Sequence, residues 1–585
     1  MKNNRRIHML ALLLALVMTV SCAAPAYAEN GGRHSIEKRS YTTYVGSTAE
    51  DKLNQEIPLY FMDGVDDLPY LAIEDWAELL YFVNTEYNDD SNYGLTIKYG
   101  DNDTVTLERE NGYTLVFDFA NDILRFNDYD AFMHNSNDSA LIDLVSENGT
   151  DDNGNAELVW RDKKASFDRY GDELNIDLDA YGIHMIAQDD GYYVPLQTLN
   201  DFTMLSSMMS FVFNGQALFL ASDHIFYDYD EHTYTEAAEL YYSAPTGERS
   251  DELAEYSYNE LCLLLDTFYG LKETHDIESF HQLFWQIGFD EVLSGNSAVD
   301  ADQALKELID YYLDDLHSVF DEYSYLAGSD DINSSQGSAN RKMKESRSIY
   351  GNARDKAYPD GFLRYEEVGN TAYITFDHFV SGYTGRTYYK AAENGDKLND
   401  TVSQIMEAHK QINREGSPIE NVVLDLSNNL GGDVDAAVVV LSWFLGDAPF
   451  SVKNMATGAM STAVYRADIN LDHAYDENDT VADKKLYCLI SPVSFSCGNL
   501  VPAALKSSQK VTLLGRTSGG GSCIVQPAST AYGTVFQFSA ALRMSFLKNG
   551  SFYDIDQGVE PDYYIDNVDN YYNRQALTDF INGLF

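Results

Sequence analysis

Two short stretches of this 585-residue chain pair a buried strand with small residues that could support nucleophilic chemistry. In the first, the apolar run 486–490 precedes a turn containing Ser494 and Ser496, and an apolar segment with helical spacing follows to about Ser508. A serine on a sharp strand-to-helix turn exposes its oxygen, and the helix amino terminus offers free N–H groups to an anion. An ordinary strand-turn-helix with a capping serine would have the same pattern. Both interpretations stay open at this point.

The second stretch predicts an anion-binding turn. The apolar strand 422–426 ends in an Asn-Asn turn, and Gly431 and Gly432 follow it. Paired glycines let the backbone approach a ligand closely and direct N–H groups at it, as an oxyanion hole requires. We therefore expect an oxyanion hole made by the backbone N–H of Gly431 or Gly432 and that of Cys497, whose side chain takes no part.

In their order and spacing, these segments resemble the tail-specific (carboxyl-terminal processing) and tricorn-core family of serine proteases. The family pattern is a strand ending in D-L-R-x-N-x-G-G, then T-A-S-A-S-E around the nucleophile, G-x-x-T-x-G and a late G-x-x-P-D. Four segments between about residues 300 and 585 match it, namely 425–432, 494–499, 515–519 and 558–562. The resemblance implies a serine-type peptidase that works by acyl transfer, with Ser496 as the nucleophile.

The nucleophile needs a base, because a serine hydroxyl is scarcely ionised at neutral pH. Tail-specific members of the family supply a lysine directly after T-x-G, but Gly520 stands at that position here. Lys506 lies ten residues beyond Ser496 along the predicted helix, which corresponds to about 15 Å. A Ser–Lys dyad is therefore not expected.

The tricorn-like branch of the family instead takes a histidine from a motif resembling L-x-D-x-H-[ST]. The run LDDLHS, which ends at Ser318, matches that motif, so the resemblance implies His317 as general base, with His378 as the competing candidate. In that branch a glutamate before the late G-x-x-P-D and a serine beside the histidine orient the imidazole. The resemblance gives these roles to Asp556 and Ser318, with Asp554 as the alternative to Asp556.

The elements around these residues predict an α/β fold. The resemblance implies a crotonase-like core of strand-strand-helix units in a spiral, and the strand-helix alternation from Val422 onward agrees with an α/β core. A helical segment and a β-rich amino-terminal accessory domain precede it. The predicted divisions are a signal peptide at 1–28, an accessory domain at 29–230, a helical segment and mobile loop at 231–347, and a protease core at 348–585.

Two features of these divisions bear on substrate binding. The stretch 327–347 is polar and rich in Gly and Ser, which predicts the mobile loop. Tail-specific proteases carry a peptide-binding PDZ module in this region, but the residues between Leu316 and the strand at 371–376 leave no room for one.

Within the accessory domain, the segments 68–71 and 192–196 echo each other before helical patterns. They resemble the paired modules of secreted amine-oxidase-type accessory domains, with either a docking or a structural role.

The amino terminus predicts export. Three cations precede an apolar run at 9–20, and Ala26-Tyr27-Ala28 is typical of a signal-peptidase site. We expect cleavage after Ala28 and a secreted protein without stable membrane insertion. Cys22 raises the alternative of a lipid anchor, against which the preceding Thr19-Val20-Ser21 argues.

Composition limits the partners. The chain has 93 acidic and 39 basic residues, and its net charge of −54 makes nucleic acid a poor partner. The expected partner is a peptide or protein substrate, and the oligomeric state is left open.

The loop 468–479 begins like a calcium loop but lacks the glycine at its sixth position, so we predict no metal and no cofactor. The four cysteines after the signal are expected to be buried, with at most one disulfide.

A competing hypothesis from another class is a catalytically inactive protein that keeps the protease fold and binds peptides or cell-wall fragments. Two departures from the family pattern favour it: Gly520 replaces the lysine, and Asn499 replaces the glutamate of T-A-S-A-S-E.

Overall fold

The computed structural model describes the chain in eight ranges: 33–87, 94–134, 160–221, 226–228, 233–243, 246–327, 332–382 and 385–584. The predicted signal peptide, its cleavage site and Cys22 lie outside these ranges. In the part of the chain that is described, no helix has both the length and the apolar character needed to cross a membrane.

The described strands are numbered along the chain. They are β1 Ile36–Tyr41, β2 Thr43–Tyr44, β3 Ile57–Met62, β4 Tyr70–Ala72, β5 Leu95–Tyr99, β6 Thr104–Arg109, β7 Thr114–Asp118, β8 Ile123–Phe126, β9 Trp160–Arg169, β10 Leu174–Asp177, β11 Ile186–Gln188, β12 Gly191–Pro195, β13 Ser210–Phe213, β14 Leu218–Ala221, β15 Tyr227–Asp228, β16 Thr233–Tyr234, β17 Val319–Glu322, β18 Tyr365–Val368, β19 Thr371–Thr375, β20 Asn421–Asp425, β21 Ala448–Asn454, β22 Met460–Ala467, β23 Lys485–Ile490, β24 Val511–Gly515, β25 Cys523–Ser529, β26 Val535–Ser545, β27 Leu547–Lys548, β28 Ser551–Phe552 and β29 Tyr563–Tyr564.

The α-helices are numbered in the same way. They are α1 Ile73–Phe82, α2 Tyr129–His134, α3 Leu196–Thr203, α4 Glu236–Tyr241, α5 Asp251–Phe268, α6 Phe280–Ile287, α7 Asp290–Leu293, α8 Ala298–Glu307, α9 Ser338–Ala357, α10 Gly385–Asn394, α11 Thr401–Ile412, α12 Val434–Leu445, α13 Cys497–Ser507, α14 Asp569–Tyr572 and α15 Arg574–Asn582. A π-helical segment, Leu308–Leu313, continues α8. The molecule therefore has a mixed α/β fold.

A six-stranded sheet forms the centre of the carboxyl-terminal half. Its order is β18-β19-β20-β23-β24-β29, and the strands from β19 to β29 run parallel. The residues of β19 and β20 are buried, as expected for a parallel sheet covered on both faces. Asp425 pairs with Leu489, so β20 and β23 end side by side. The glycine turn and the serine turn consequently meet at one edge of the sheet.

A second sheet brings distant parts of the chain to this core. Its order is β17-β26-β21-β22-β9, with β25 paired to β26. Strand β17 begins two residues after His317 and pairs with β26. Strand β9, which the sequence assigns to the accessory domain, pairs with β22. The predicted domain division stays a prediction, and this pairing shows that the two regions share a sheet.

The two echoing segments of the amino-terminal region lie against each other. Strand β4 pairs with β12 in antiparallel orientation, with Leu71 opposite Val194. Each strand leads directly into a helix, α1 or α3, and the Trp76 indole N–H donates to the Thr203 hydroxyl at 2.9 Å across the two helices. The repeat seen in the sequence is thus a repeat of strand and helix in space.

The prediction of a mobile loop over 327–347 is wrong for its second half. Residues 338–347 belong to α9, a 20-residue helix, and residues 328–331 lie outside the described ranges. The average composition of this stretch is polar, but Met343, Tyr350 and Ala353 fall on one helical face and pack on an apolar cluster. Tertiary packing of that narrow face accounts for the helix.

Candidate active site

Ser496 lies on a strained turn between β23 and α13. It precedes the first residue of the helix and has φ 56° and ψ −124°, a conformation that residues other than glycine rarely adopt. The Ser496 N–H donates to the carbonyl of Gly520 at 2.9 Å, and its own carbonyl accepts from the Leu500 N–H at 2.9 Å. The residue is half-buried, and within the described residues its Oγ makes no hydrogen bond. Such a turn presents a hydroxyl for attack.

Ser494, the other serine of the turn, is fully buried. Its hydroxyl donates to the carbonyl of Leu426 at 2.7 Å and accepts from the Ser491 N–H at 2.9 Å. It therefore ties the serine turn to the end of β20, whereas the hydroxyl of Ser496 has no such structural task.

The glycine turn approaches Ser496 closely. Gly431 has φ +107°, and a Cβ placed on it would stand 2.6 Å from the Cβ and 3.0 Å from the Oγ of Ser496, so a side chain does not fit. The Gly431 N–H donates to Asn429 Oδ1 at 2.9 Å. Over the described ranges, the N–H groups of Gly432 and Cys497 donate no hydrogen bond. Of the three expected oxyanion donors, Gly431 is thus occupied and the other two are available.

The thiol of Cys497 is fully buried, and burial raises its pKa to about 12. It stays a neutral thiol at physiological pH. Cys262, Cys488, Cys497 and Cys523 are all buried free thiols, so the optional disulfide does not form among them.

His317 packs against the residue next to the serine. Its ring centroid lies 4.6 Å from that of Phe495, and its Cε1 is 3.1 Å from where a Cβ on Gly521 would stand. The Gln537 amide donates to the His317 carbonyl at 2.7 Å. Burial lowers the pKa of the imidazole, and the negative charges of Asp315 and Asp556 partly oppose that shift. His317 is consequently neutral near pH 7, the state that a general base requires.

Asp315 organises the histidine segment. Its Oδ1 accepts from the backbone N–H of His317 at 3.0 Å and of Ser318 at 2.7 Å, and its Oδ2 accepts from the hydroxyls of Ser318 and Tyr269, each at 2.8 Å. The Ser318 hydroxyl thus donates its hydrogen bond to the carboxylate of Asp315. Asp315 is a site residue that the sequence did not single out, although it is the aspartate of the L-x-D-x-H-[ST] motif.

The two late aspartates differ in their surroundings. Asp556 acts electrostatically on His317, and its Oδ1 accepts from the Ser522 N–H at 3.1 Å. Asp554 is exposed and forms an ion pair with Arg543 at 3.0 Å. Of the two late aspartates, it is therefore Asp556 whose charge acts on the imidazole, in addition to that of Asp315.

The other candidate bases have different surroundings. Gly520 has φ +86°, and a Cβ there would collide with the carbonyl of Asp556, so this position cannot carry the lysine of the family pattern without moving the backbone. The Lys506 ammonium donates to the Glu560 carbonyl at 2.6 Å, near the far end of α13. His378 is exposed beyond the end of β19.

Asn499, at the position of the family glutamate, is fully buried on α13. Its Oδ1 accepts from the Ser518 hydroxyl at 2.7 Å, and its Nδ2 donates to the Ile555 carbonyl at 2.9 Å. The asparagine therefore holds two loops of the site against the helix.

The loop 468–479 uses its carboxylates for its own backbone. Asp468 accepts from the N–H groups of Asp472 and His473, and Asp479 accepts from that of Ile469. These bonds engage the carboxylates of Asp468 and Asp479, and the expected absence of a metal stays a prediction.

One family model matches part of the chain. Residues 370–565 match the family model described as Peptidase family S41. The matched range includes Ser496, Gly431, Gly432, Cys497 and Asp556, and it begins after the histidine segment.

Two curated relatives share the printed name "Probable CtpA-like serine protease". The protein from Staphylococcus epidermidis (strain ATCC 12228 / FDA PCI 1200) is 24% identical over 203 residues, 35% of this chain and 35% of the relative. The protein from Staphylococcus aureus (strain N315) is 25% identical over 168 residues, 29% of this chain and 31% of the relative. The chain spans about a third of the length of these relatives.

Two solved structures illustrate a weak structural likeness. The photosystem II D1 C-terminal processing protease has a TM-score of 0.26 at 18% identity, covering 35% of this chain and 46% of its own. The structure named mature CPAF has a TM-score of 0.36 at 11% identity, covering 57% of this chain and 96% of its own. These scores are too low to carry a conclusion.

Proposed function

We propose that the chain is a serine endopeptidase of the family whose model residues 370–565 match, and that it forms its acyl-enzyme on Ser496 with His317 as general base. One observation carries the proposal. The unbonded hydroxyl of Ser496 stands on a strained turn beside Gly431, and the buried, neutral imidazole of His317 packs on the ring of the preceding residue, Phe495.

The first step is attack of Ser496 Oγ on the carbonyl carbon of a peptide bond. His317 takes the hydroxyl proton as the new C–O bond forms. The negative charge moves to the carbonyl oxygen, where the N–H groups of Gly432 and Cys497 and the positive end of α13 bind it. Both donors are already fixed by the turn and the helix, so they need little reorganisation.

The imidazolium that results is stabilised by Asp315 and Asp556, whose charges both favour the protonated ring. Asp315 is held by Ser318 and Tyr269, and Asp556 is held by Ser522. His317 then gives its proton to the leaving amine. In the second half of the reaction it removes a proton from water, which hydrolyses the acyl-enzyme.

We propose the crotonase-like spiral as the architecture of this core. The strands β19, β20, β23 and β24 follow one another in parallel, and helices α11, α12 and α13 return the chain between them. We also propose that no PDZ module lies between the histidine segment and β19, where the described residues form β17, α9 and β18. Export with cleavage after Ala28 is proposed on the signal pattern alone.

A fluorophosphonate probe tests the function, because it reacts covalently with an activated serine. Wild-type protein should be labelled, and Ser496→Ala should not, while Ser494→Ala retains labelling. Mass spectrometry of the labelled peptide should place the adduct on Ser496. Absence of labelling in the folded wild type would overturn the proposal and favour the inactive binding protein.

A further inference from the structure

We propose that the exposed face of helix α9 is a docking surface for acidic segments of the peptide substrate, a proposal that rests on the function proposed above. The helix carries six cations and two anions in 20 residues, in a chain whose net charge is −54. Four of these cations occupy its first half, namely Arg341, Lys342, Lys344 and Arg347, and all four are exposed. We call these four residues the basic face.

No ion pair within the described residues neutralises the basic face, although Glu345 lies on the same turns of the helix. In its second half, α9 pairs Arg354 with Asp377 at 2.6 Å and Lys356 with Asp569 at 3.1 Å. Across the ranges that the structure describes, none of the four residues of the basic face forms an ion pair with a carboxylate. Arg341 and Lys344 instead donate to the carbonyl and the side chain of Gln336. Their positive charges remain available to a ligand.

Two contacts place the helix beside the site. At its start, Asp314 accepts from the N–H groups of Ala339 at 2.6 Å and Asn340 at 2.9 Å, and Asp314 is three residues before His317. One turn further, the Met343 methyl group lies 3.3 Å from where a Cβ on Gly519 would stand.

Gly519 belongs to the loop that holds the nucleophile. Its N–H donates to the Ser494 carbonyl at 2.8 Å, and the carbonyl of the next residue, Gly520, accepts from the Ser496 N–H at 2.9 Å. Helix α9 therefore bridges the histidine segment and the serine turn. Met343, Tyr350 and Ala353 face the apolar cluster, so the basic face is turned to solvent at the border of the site.

Charge complementarity selects the occupant. A chain with 93 acidic residues repels an acidic peptide at long range, and a local cluster of cations beside the nucleophile offsets that repulsion where the peptide must bind. Lysine and arginine on a helical face match glutamate and aspartate side chains of an extended peptide. The surface thus selects substrates with acidic residues next to the scissile bond.

The test uses two fluorogenic peptides that are identical except that four glutamates in one are glutamines in the other. For the wild type, kcat/KM should favour the acidic peptide by about tenfold at low ionic strength, and the preference should fall at high salt because the charges are exposed. The triple variant Lys342→Gln, Lys344→Gln, Arg347→Gln should bring the ratio of the two kcat/KM values to about one. Arg341 is kept because it donates to the backbone carbonyl of Gln336 before the helix, whereas Lys344 contacts only the side chain of that residue.

A matched control removes the same charge elsewhere. Lys390→Gln, Lys397→Gln, Lys410→Gln changes three exposed lysines of α10, α11 and the segment between them. It should retain the preference for the acidic peptide. Equal loss in both triple variants would show a net-charge effect and overturn the proposal. If the first triple variant fails to fold by near-ultraviolet circular dichroism, Lys342→Glu alone should still lower the ratio.

Binding separates this proposal from the proposed function. Fluorescence anisotropy with folded Ser496→Ala should give a Kd for the acidic peptide about tenfold below that for the neutral one. If no peptide is cleaved but this difference persists, hydrolysis is refuted and the docking surface stands. Equal binding or cleavage of the two peptides overturns the docking surface. Tighter binding of a polyglycerol phosphate than of the acidic peptide would also overturn the docking surface. The same holds if the wild type self-associates in a salt-sensitive way and the first triple variant does not.

Discussion

The imidazole of His317 packs 4.6 Å from the phenyl ring of Phe495, the residue directly before Ser496. This ring contact joins two segments that are far apart in the chain. Strand β17 fixes the histidine side by pairing with β26, and the strained turn fixes the serine side. Within the described residues no hydrogen bond joins Ser496 Oγ to His317, and such bonds often form only in the complex with substrate.

Replacement of the nucleophile should separate the two serines. Ser496→Ala should abolish peptidase activity and shift the melting temperature by no more than a few degrees, because its Oγ makes no hydrogen bond in the described chain. Ser494→Ala should retain activity but lose about 1–2 kcal/mol of stability, since two hydrogen bonds of its hydroxyl disappear. Peptide hydrolysis and thermal unfolding measure both effects. An inactive, folded Ser494→Ala beside an active Ser496→Ala would contradict the assignment.

Removal of the base should reduce turnover without unfolding the protein. His317→Ala should lower kcat on the order of a thousandfold, as in other serine triads. His378→Ala and Lys506→Ala should each change kcat by less than about threefold, because the His378 side chain is exposed and the Lys506 ammonium is bound to the Glu560 carbonyl. Steady-state kinetics on one peptide would decide. Near-full activity of His317→Ala together with loss in Lys506→Ala would identify the lysine as the base.

The pH dependence should show a depressed histidine. Because burial lowers the pKa of His317, the acid limb of kcat/KM should lie below the ordinary value of about 6.5. Asp315→Asn removes a charge that raises this pKa, so the limb should move to still lower pH while kcat falls roughly tenfold or more.

Asp556→Asn should likewise move the acid limb of kcat/KM to lower pH. Asp554→Asn is the control, because Asp554 is exposed and pairs with Arg543, and it should leave the acid limb where it is in the wild type. Profiles of kcat/KM between pH 4 and 9 measure these shifts. A limb that moves to higher pH in Asp315→Asn would refute the electrostatic role of this carboxylate.

Gly520, which stands where the family pattern has a lysine, should tolerate no side chain. Gly520→Ala should cost more than the roughly 1–2 kcal/mol of a left-handed alanine, because its Cβ would also collide with the Asp556 carbonyl. Activity should fall too, since the Gly520 carbonyl holds the Ser496 N–H. Gly550→Ala is a matched control: its φ is +78° and no atom lies within 4 Å of the added Cβ. Denaturant unfolding should show only the backbone cost there, and equal losses would exclude the collision.

A buried carboxyl group outside the site should make stability fall as pH rises. Burial raises the pKa of Asp302 to about 7, although hydrogen bonds from Thr534 and Ser324 and the charge of Arg249 oppose this. The folded pKa lies above the unfolded one, so the contribution to stability is full below about pH 4 and is lost as pH rises through about 7.

Asp302→Asn removes that titration. Between pH 5 and 8, its free energy of unfolding should rise relative to wild type by roughly 1–3 kcal/mol. Asp300→Asn, an exposed carboxylate on the same helix, should show no such trend. Thermal or denaturant unfolding at the two pH values is the measurement. A constant difference between Asp302→Asn and wild type would show that the carboxyl group does not titrate in this range.

Much of the local structure could be predicted from the sequence. Strand β20, the glycine turn, strand β23 and helix α13 lie within a residue or two of their expected bounds. These features depend on the periodicity of apolar residues and on turn chemistry between neighbours, which a sequence displays directly. The order of the motifs also led to the family that residues 370–565 match.

Only the tertiary structure decided which groups are available to react. Ser494 and Ser496 are equivalent by residue type, but only the first hydroxyl is engaged by the end of β20. The Gly431 N–H is taken by Asn429, and a polar stretch folds as α9 because three of its side chains find an apolar cluster. Burial and hydrogen-bond partners depend on segments distant in the chain, and local patterns contain no information about how those segments pack.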